Sequence, residues 1–269
     1  MKGYMFMNAV LLAAGGTGFT FLMTTLGAAV VFFFKKDASS EKIERIFLGF
    51  AAGVMIAASV WSLLIPAIEK AEELGTIGWI PAAGGFVLGV MFLMGLDKLL
   101  PFFHAGLDRE DGVKQGLKRT TLLVCAVTLH NIPEGMAVGL AFALAAQSES
   151  GVLLASAIAL AIGIGIQNFP EGAAISLPIR QTGIGRTKSF LYGAASGFVE
   201  PVFGILTVLI AGSVVPLMPW LLAFAAGAML YVVVEELIPE AHLNDYQHLA
   251  TFGVMSGFLI MMILDVALG

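Results

Sequence analysis

Eight long apolar stretches succeed one another along the chain, and each is close to the roughly 20 residues that an α-helix needs to cross a bilayer. Only 12% of the residues are charged and 58% are hydrophobic, whereas soluble domains have about 25% charged residues. Because a segment in lipid must satisfy its own backbone hydrogen bonds, spans of this kind are helical. We therefore predict an all-α integral membrane protein, with residues 1–269 forming a single polytopic domain. The predicted spans cover residues 6–34, 44–68, 79–103, 117–146, 151–179, 187–212, 216–240 and 247–268.

Basic residues are distributed unevenly between the two sides of these spans. The connections after spans 1, 3 and 5 contain 11 Lys and Arg residues, whereas the opposite side has only Lys2 and Lys70. Lys98 is set aside because it lies near the end of span 3. Since basic connections stay in the cytoplasm, this bias predicts cytoplasmic connections after spans 1, 3 and 5, and both termini outside.

Two similar polar hexapeptides interrupt the apolar sequence of spans 4 and 5. H-N-I-P-E-G occupies residues 130–135, and Q-N-F-P-E-G occupies residues 167–172. An ionised carboxylate within a membrane is costly, so it faces protein, water or a cation. Both hexapeptides lie near the middle of spans that run in opposite directions, and we expect them to face each other across a midplane site.

The side chains of the hexapeptides favour divalent metal binding. His130 and Glu134 are four residues apart and share one helix face, and Gln167 and Glu171 repeat that spacing. Imidazole and carboxylate together suit Zn²⁺ and neighbouring divalent metals, and two carboxylates between two metal positions could bridge them. A polar network that joins the helices without metal is the alternative. The amides Asn131 and Asn168 are directed toward the same seam.

Proline frees a backbone carbonyl directly before each hexapeptide. Pro133 and Pro170 have no N–H to donate within their helices. The carbonyls of Leu129 and Ile166 are therefore available for another donor or a cation.

Further carboxylates lie within the later spans. Glu200, in S-G-F-V-E-P, is either a third carboxylate of the metal site or a protonated carboxyl bonded to a neighbouring backbone. The cluster near the cytoplasmic end of span 7 forms either an exit path for a cation or a solvated helix end. Its members are Glu235, Glu236, Glu240 and His242.

At these motifs the sequence resembles the ZIP family of divalent-metal transporters, in its prokaryotic GufA-like branch. The resemblance covers essentially the whole chain and includes G-F-A-A-G-V-M in span 2, both hexapeptides, S-G-F-V-E-P and E-E-L-I-P-E-A-H. It implies eight transmembrane helices in a 3+2+3 arrangement, with inverted symmetry between the first and last three. It also implies extracytoplasmic termini and transport of zinc, and often iron, manganese, cobalt or cadmium, toward the cytoplasm.

The resemblance also implies a binuclear metal site. The first position would take Met55, His130, Glu134, Gln167 and Glu171, and the second would take Asn131, Glu134, Asn168, Glu171 and Glu200. Relatives often have Asp in place of Asn168, so the second position here is less anionic. The short connection between spans 3 and 4 also lacks the His-rich segment of many relatives.

Our interpretation is inward transport of Zn²⁺, with Fe²⁺, Mn²⁺, Co²⁺ and Cd²⁺ as further possible cargo, across the cell membrane by alternating access. Electrodiffusion through a binuclear path is a variant. An intramembrane metal-dependent hydrolase is less favoured, because the sequence has neither H-E-x-x-H nor a three-histidine set. A proton-coupled carrier of an organic solute, with Glu134 and Glu171 as proton sites, is a third reading. We expect no enzymatic activity, no cofactor besides the transported ions, no nucleic-acid partner and membrane lipid as surroundings. The resemblance also suggests a homodimer.

Overall fold

A computed structural model describes residues 2–33, 41–104, 112–148, 151–181, 183–213, 215–241 and 247–268. These residues form helices joined by short turns and include no β-strand. The α-helices are α1 Lys2–Ala29, α2 Glu41–Ala58, α3 Ile65–Glu73, α4 Trp79–His104, α5 Gly112–Ser148, α6 Gly151–Gln181, α7 Arg186–Gly197, α8 Val199–Ser213, α9 Met218–Val232, α10 Ile238–Ala241 and α11 Gln247–Leu268. Short 3₁₀ turns cover Val30–Phe32 and Val215–Leu217.

The helices confirm the all-α membrane architecture. Seven helical segments among the described residues are long and apolar enough to cross a membrane, and they match predicted spans 1–3 and 5–8. Predicted span 4 lies on α5, which has 37 residues and is long enough to cross a bilayer. In chain order, span 1 is α1, span 2 is α2 with α3, span 3 is α4, span 4 is α5, span 5 is α6, span 6 is α7 with α8, span 7 is α9 with α10, and span 8 is α11.

Span 2 is longer than the sequence predicts. We expected it to end at residue 68, but α3 continues to Glu73. The helix ends where Gly75 adopts a φ of 75° and donates its N–H to the Glu72 carbonyl. Because glycine adopts this left-handed conformation without a steric cost, Gly75 sets the end of the helix, whereas the preceding charged residues continue it.

Prolines act differently in different spans. In span 6, α7 ends at Gly197 and a turn at Phe198 precedes α8. Pro201 has no N–H to donate to the Gly197 carbonyl, which accounts for the break. In contrast, α5 and α6 continue without interruption through Pro133 and Pro170.

Two spans contain a turn of π-helix. Ser59–Leu64 joins α2 to α3, and Val233–Leu237 joins α9 to α10. Pro66 follows the first π turn and Pro239 follows the second. Such widened turns inside α-helices are frequent at functional sites.

The spans pack into two groups. Span 1 packs on span 5, span 6 packs on span 4, and spans 4 and 5 contact each other, so these four spans form one group. In the other group, span 2 packs on span 8 and span 3 packs on span 7. The groups meet where span 2 contacts span 5 and span 7 contacts span 4. The hexapeptide spans therefore lie in one group and border the other.

Glycine contacts show that the two halves of the chain are built alike. Gly53 of span 2 packs against the Val254 carbonyl of span 8, and Gly227 of span 7 packs against the Phe86 carbonyl of span 3. Two further contacts are related in the same way, with span 2 replaced by span 7 and span 8 by span 3. They are Gly257 with the Phe50 carbonyl and Gly89 with the Phe224 carbonyl. Spans 2 and 3 thus correspond to spans 7 and 8. Gly135 of span 4 packs against a carbonyl of span 6 as Gly172 of span 5 packs against a carbonyl of span 1, so span 1 corresponds to span 6 and span 4 to span 5. Because consecutive spans alternate in direction, the relation is an inverted repeat.

Candidate metal centre

The two hexapeptides meet inside the protein. Gln167 of span 5 donates from Nε2 to Glu134 Oε1 of span 4, at 2.6 Å. Both side chains are buried, with Glu134 1% exposed and Gln167 0% exposed. A carboxylate from one hexapeptide is therefore in direct contact with an amide from the other.

Glu200 joins this pair from span 6. Its Oε2 accepts a hydrogen bond from Asn168 Nδ2 at 2.9 Å, and its Oε1 accepts one from Thr24 Oγ1 at 3.3 Å. Glu200 is fully buried. Spans 1, 5 and 6 thus converge on one carboxylate.

The two asparagines anchor the hexapeptides in the same way. Asn131 donates from Nδ2 to the Ser196 carbonyl at 3.0 Å, and Asn168 donates from Nδ2 to the Thr20 carbonyl at 3.4 Å. Ser196 and Thr20 occupy corresponding positions in spans 6 and 1. The amide nitrogens thus fix the hexapeptides to the neighbouring spans, and the amide oxygens remain available.

Glu171 is the third carboxylate of the cluster. It lies beside Asn131, and electrostatic interactions connect it with Glu134, Glu200 and Glu236. Negative charges in a medium of low dielectric constant repel each other strongly. A cation among these carboxylates would relieve that repulsion.

Five buried acceptor oxygens of the hexapeptides have no hydrogen-bond partner among the described residues. Unpaired buried polar atoms are uncommon in folded proteins, and each one requires an explanation. All five are carboxylate or amide oxygens, which need a donor or a cation. They are Asn131 Oδ1, Glu134 Oε2, Gln167 Oε1, Asn168 Oδ1 and Glu171 Oε1.

The three carboxylates, as the structure places them, are too far apart to coordinate one metal ion together. Within the part of the chain that the structure describes, no three His, Cys, Asp or Glu side chains are grouped closely enough to hold a metal ion. The amide groups of Gln167 and Asn168 stand against Glu134 and Glu200 and donate to them. Rotation of each amide by half a turn would present its oxygen in place of its N–H₂ group.

For the thioether and imidazole ligands that the sequence predicts, the structure describes fewer contacts. Met55 is 1% exposed on span 2, which packs against span 5, and its carbonyl accepts a hydrogen bond from Ser59 Oγ at 2.7 Å. His130 lies on α5, but its side chain is outside the described residues. The assignment of both as ligands stays a prediction.

The sequence reasoning missed two threonines of span 1. Thr20 and Thr24 are fully buried and contact Asn168 and Glu200. Together with Thr17 they lie three and four residues apart, so they share one face of an otherwise apolar helix. That spacing is the sequence signal that could have identified these threonines.

A buried pair in spans 2 and 8 was also missed. Ser62, in the π turn of span 2, donates to Asp265 Oδ1 at 2.7 Å. Asp265 is 6% exposed, and its Oδ2 has no hydrogen-bond partner among the described residues. A lone carboxylate in the last apolar span is the signal that could have identified it.

The predicted exit path is partly described. Glu235 is exposed, whereas Glu236 is partly buried and interacts with Glu171. The side chain of Glu240 and all of His242 lie outside the described residues. Glu236 is thus the residue of this cluster that the structure connects to the hexapeptides.

Comparisons with known proteins agree with these features. The sequence model of a family described as ZIP Zinc transporter matches residues 104–265, which include both hexapeptides. The chain is 36% identical to Zinc transporter ZIP11 of Homo sapiens, over 97% of this chain and 98% of that protein. It is 40% identical to Zinc transporter ZIPB of Bordetella bronchiseptica, over 97% of this chain and 81% of that protein. Its identity with Zinc transporter GufA of Myxococcus xanthus is 38%, over 86% of this chain and 89% of that protein.

Proposed function

Because the chain belongs to the ZIP family of zinc transporters, we propose that it carries Zn²⁺ across the cell membrane into the cytoplasm. Fe²⁺, Mn²⁺, Co²⁺ and Cd²⁺ are further candidate cargo, since carboxylate, amide and imidazole ligands also accept these ions. The bias of basic residues supports cytoplasmic connections after spans 1, 3 and 5 and termini outside the cell.

The five unpaired oxygens of the hexapeptides carry this proposal. A polar network whose only role is to join helices would pair its acceptors with donors, because unpaired buried acceptors cost about 1–3 kcal/mol each. Here the amide nitrogens are engaged, and the oxygens have no partner among the described residues. A divalent cation is attracted to such a set of oxygens and offsets the charge of the three carboxylates.

We assign two adjoining metal positions to the cluster. Glu134 and Glu171 serve both, because each hexapeptide carboxylate faces the seam between spans 4 and 5. The first position adds imidazole and thioether groups, which suit Zn²⁺, whereas the second has oxygen ligands only. The first comprises Met55, His130, Glu134, Gln167 and Glu171, and the second comprises Asn131, Glu134, Asn168, Glu171 and Glu200.

Metal binding would exchange hydrogen bonds for coordination. In the described state Gln167 donates to Glu134, and Asn168 donates to Glu200. The terminal torsion of an amide side chain has a broad, roughly two-fold profile, so each amide can turn its oxygen toward an arriving cation. A hydrogen bond to a charged group contributes about 1.5–3 kcal/mol, which a desolvated divalent cation can offset.

The two helix groups suggest how the ion passes from one side to the other. Close glycine contacts hold spans 2 with 8 and 3 with 7, and similar contacts join spans 1 with 5 and 4 with 6. Each group can therefore move as a unit against the other, as in alternating access. Met55 belongs to the group of spans 2, 3, 7 and 8, whereas the hexapeptides belong to the other group. Movement between the groups would break a bond from Met55 to the metal and favour release.

Uptake of Zn²⁺ into proteoliposomes tests the function. We expect accumulation of Zn²⁺ that competes with Fe²⁺, Mn²⁺, Co²⁺ and Cd²⁺, and that is lost in Glu134→Ala. Vesicles that contain Glu134→Ala at equal protein content are the matched control. Uptake of an organic acid driven by a proton gradient, without metal uptake, would favour the proton-coupled carrier instead.

A second measurement tests orientation and assembly. A cysteine added after Gly269 should react with a membrane-impermeant maleimide on intact cells, and lack of reaction would place the C-terminus in the cytoplasm. Mass determination of the purified protein in detergent would show whether the chain forms a homodimer, as we propose.

A further inference from the structure

A closed set of hydrogen bonds connects span 1 to the second metal position. Thr24 Oγ1 donates to Glu200 Oε1 and lies at the same distance, 3.3 Å, from the Thr20 carbonyl of its own helix. Asn168 Nδ2 lies 2.9 Å from Glu200 Oε2 and 3.4 Å from the same Thr20 carbonyl. Thr20, Thr24, Asn168 and Glu200 are fully buried. Two of the four residues come from span 1, which none of the predicted ligands occupies.

The inverted repeat gives Thr24 a defined counterpart. Gly172 of span 5 packs against the Thr24 carbonyl, and Gly135 of span 4 packs against the Glu200 carbonyl. Thr24 and Glu200 are 176 positions apart, and so are Thr20 and Ser196, which accept the two asparagine hydrogen bonds. Thr24 therefore approaches the cluster from span 1 as Glu200 approaches it from span 6. The first half of the chain supplies a neutral hydroxyl where the second half supplies a carboxylate.

We propose that Thr24 is a positioning residue for Glu200. Its hydroxyl holds Oε1, so that Oε2 faces Asn168 and becomes available to a cation when the Asn168 amide turns. The hydroxyl has two acceptors within reach, Glu200 and the Thr20 carbonyl. When a cation draws Glu200 away, the hydroxyl can donate wholly to Thr20 and is not left unpaired. This role rests on the proposed function, in which Glu200 contacts the metal ion.

Replacement of Thr24 by valine tests the role of the hydroxyl, since valine has almost the same shape. We expect Thr24→Val to weaken binding of the second equivalent of Zn²⁺ about tenfold, a factor at the lower end of what a hydrogen bond to a charged group contributes. Binding of the first equivalent should not change. Thr24→Ser keeps a hydroxyl and should restore binding. Calorimetry of the purified protein with Zn²⁺ measures both equivalents.

Thr17→Val is the matched control. Thr17 lies two helical turns before Thr24 on the same face, is fully buried, and donates to the Ala13 carbonyl of its own helix at 2.7 Å. The control loses an equally buried hydroxyl whose hydrogen bond stays within span 1. It should bind both equivalents as the wild type does. If Thr17→Val weakens the second equivalent as much as Thr24→Val, the proposal is overturned, because loss of any span 1 hydroxyl would then suffice.

Glu200→Gln separates this proposal from the proposed function. If Glu200→Gln weakens binding of the second equivalent and Thr24→Val binds it like the wild type, only the role of Thr24 fails. If Glu200→Gln itself binds two equivalents with unchanged affinity, the second metal position is wrong. In the double variant, Thr24→Val should add nothing to Glu200→Gln, and additive losses would overturn the proposal. If Thr24→Val does not fold, Thr24→Ala provides the same comparison.

Discussion

Spans 4 and 6 form one side of the candidate site, and spans 5 and 1 form the other. Each side has a hexapeptide asparagine that donates to the backbone of the neighbouring span, Asn131 to Ser196 and Asn168 to Thr20. Each side also has a hexapeptide glycine packed against a neighbouring carbonyl. The backbone framework is thus the same on both sides.

The side chains that face the cluster differ between the two sides. His130 on span 4 corresponds to Gln167 on span 5, and Glu200 on span 6 corresponds to Thr24 on span 1. The imidazole and the additional carboxylate therefore both belong to the side formed by spans 4 and 6. A repeated framework can hold an asymmetric set of polar side chains, because glycines and asparagines fix the helices while the side chains at other positions differ.

The largest effect should come from the hexapeptide glutamates, one of which lies on each side of the site. Glu134→Ala and Glu171→Ala each remove a proposed bridging charge, and we expect each to abolish Zn²⁺ uptake in proteoliposomes. Glu69→Ala, at an exposed position on α3, is a control that should transport normally. A large difference between the two hexapeptide variants would break the equivalence of the two sides.

Exchange of the imidazole for its counterpart should have the next largest effect. His130→Gln makes span 4 match span 5 at this position and removes the only nitrogen ligand proposed for the metal. We expect Zn²⁺ affinity at the first position to fall by at least the roughly 10–100-fold that loss of an outer partner of a metal ligand costs. The reciprocal Gln167→His should bind Zn²⁺ at least as tightly as the wild type. Calorimetry measures the Zn²⁺ affinity of both variants. Wild-type affinity in His130→Gln would contradict the proposed first metal position.

The glycine contacts should respond alike on both sides. A Cβ at Gly135 or Gly172 would collide with the backbone of the neighbouring span. We expect Gly135→Ala and Gly172→Ala each to lower the free energy of unfolding by about 1–3 kcal/mol. Gly18→Ala is the control, because among the described residues no atom beyond the nearby backbone of its own helix lies within 4 Å of a Cβ there. Thermal unfolding in detergent measures the changes, and destabilisation by only one of the two variants would argue against an equivalent framework.

An added charge at Asn168 should give the smallest effect. Asn168→Asp introduces a second carboxylate on the side formed by spans 5 and 1, which has no counterpart of Glu200. A unit charge 4 Å from a divalent cation contributes about 8 kcal/mol at an effective dielectric constant of 20. Repulsion from Glu171 and Glu200 offsets most of this, so we expect the second equivalent of Zn²⁺ to bind about tenfold more tightly. Asn168→Ala should weaken it. Unchanged calorimetric affinity in both variants would leave the second position without support.

The sequence predicted the helical membrane architecture and the meeting of the hexapeptides, because both follow from local pattern. Long apolar stretches specify spans directly, and carboxylates in adjacent antiparallel spans have few alternatives to facing each other. The packing of spans 2 with 8 and 3 with 7 could not be predicted in this way. It depends on glycines such as Gly53 and Gly227 meeting carbonyls far away in the sequence.

Local signals also proved ambiguous where the surroundings decide the outcome. Pro133 and Pro201 are similar in sequence terms, but α5 continues through the first and span 6 breaks before the second. Thr24 was overlooked because a threonine in an apolar helix ordinarily bonds its own backbone, and its contact with Glu200 arises only from packing. Asp265 lacked any motif around it, and only its buried partner Ser62 draws attention to it.

The two π turns occupy corresponding places in the inverted repeat. Ser59 follows Gly53 by six residues, and Val233 follows Gly227 by six residues, so the widened turns begin at corresponding positions. Because spans 2 and 7 run in opposite directions, the widened turn of span 2 lies toward one face of the membrane and that of span 7 toward the other. Each membrane face therefore has one of these irregular helix segments, in the helix group that borders the hexapeptides.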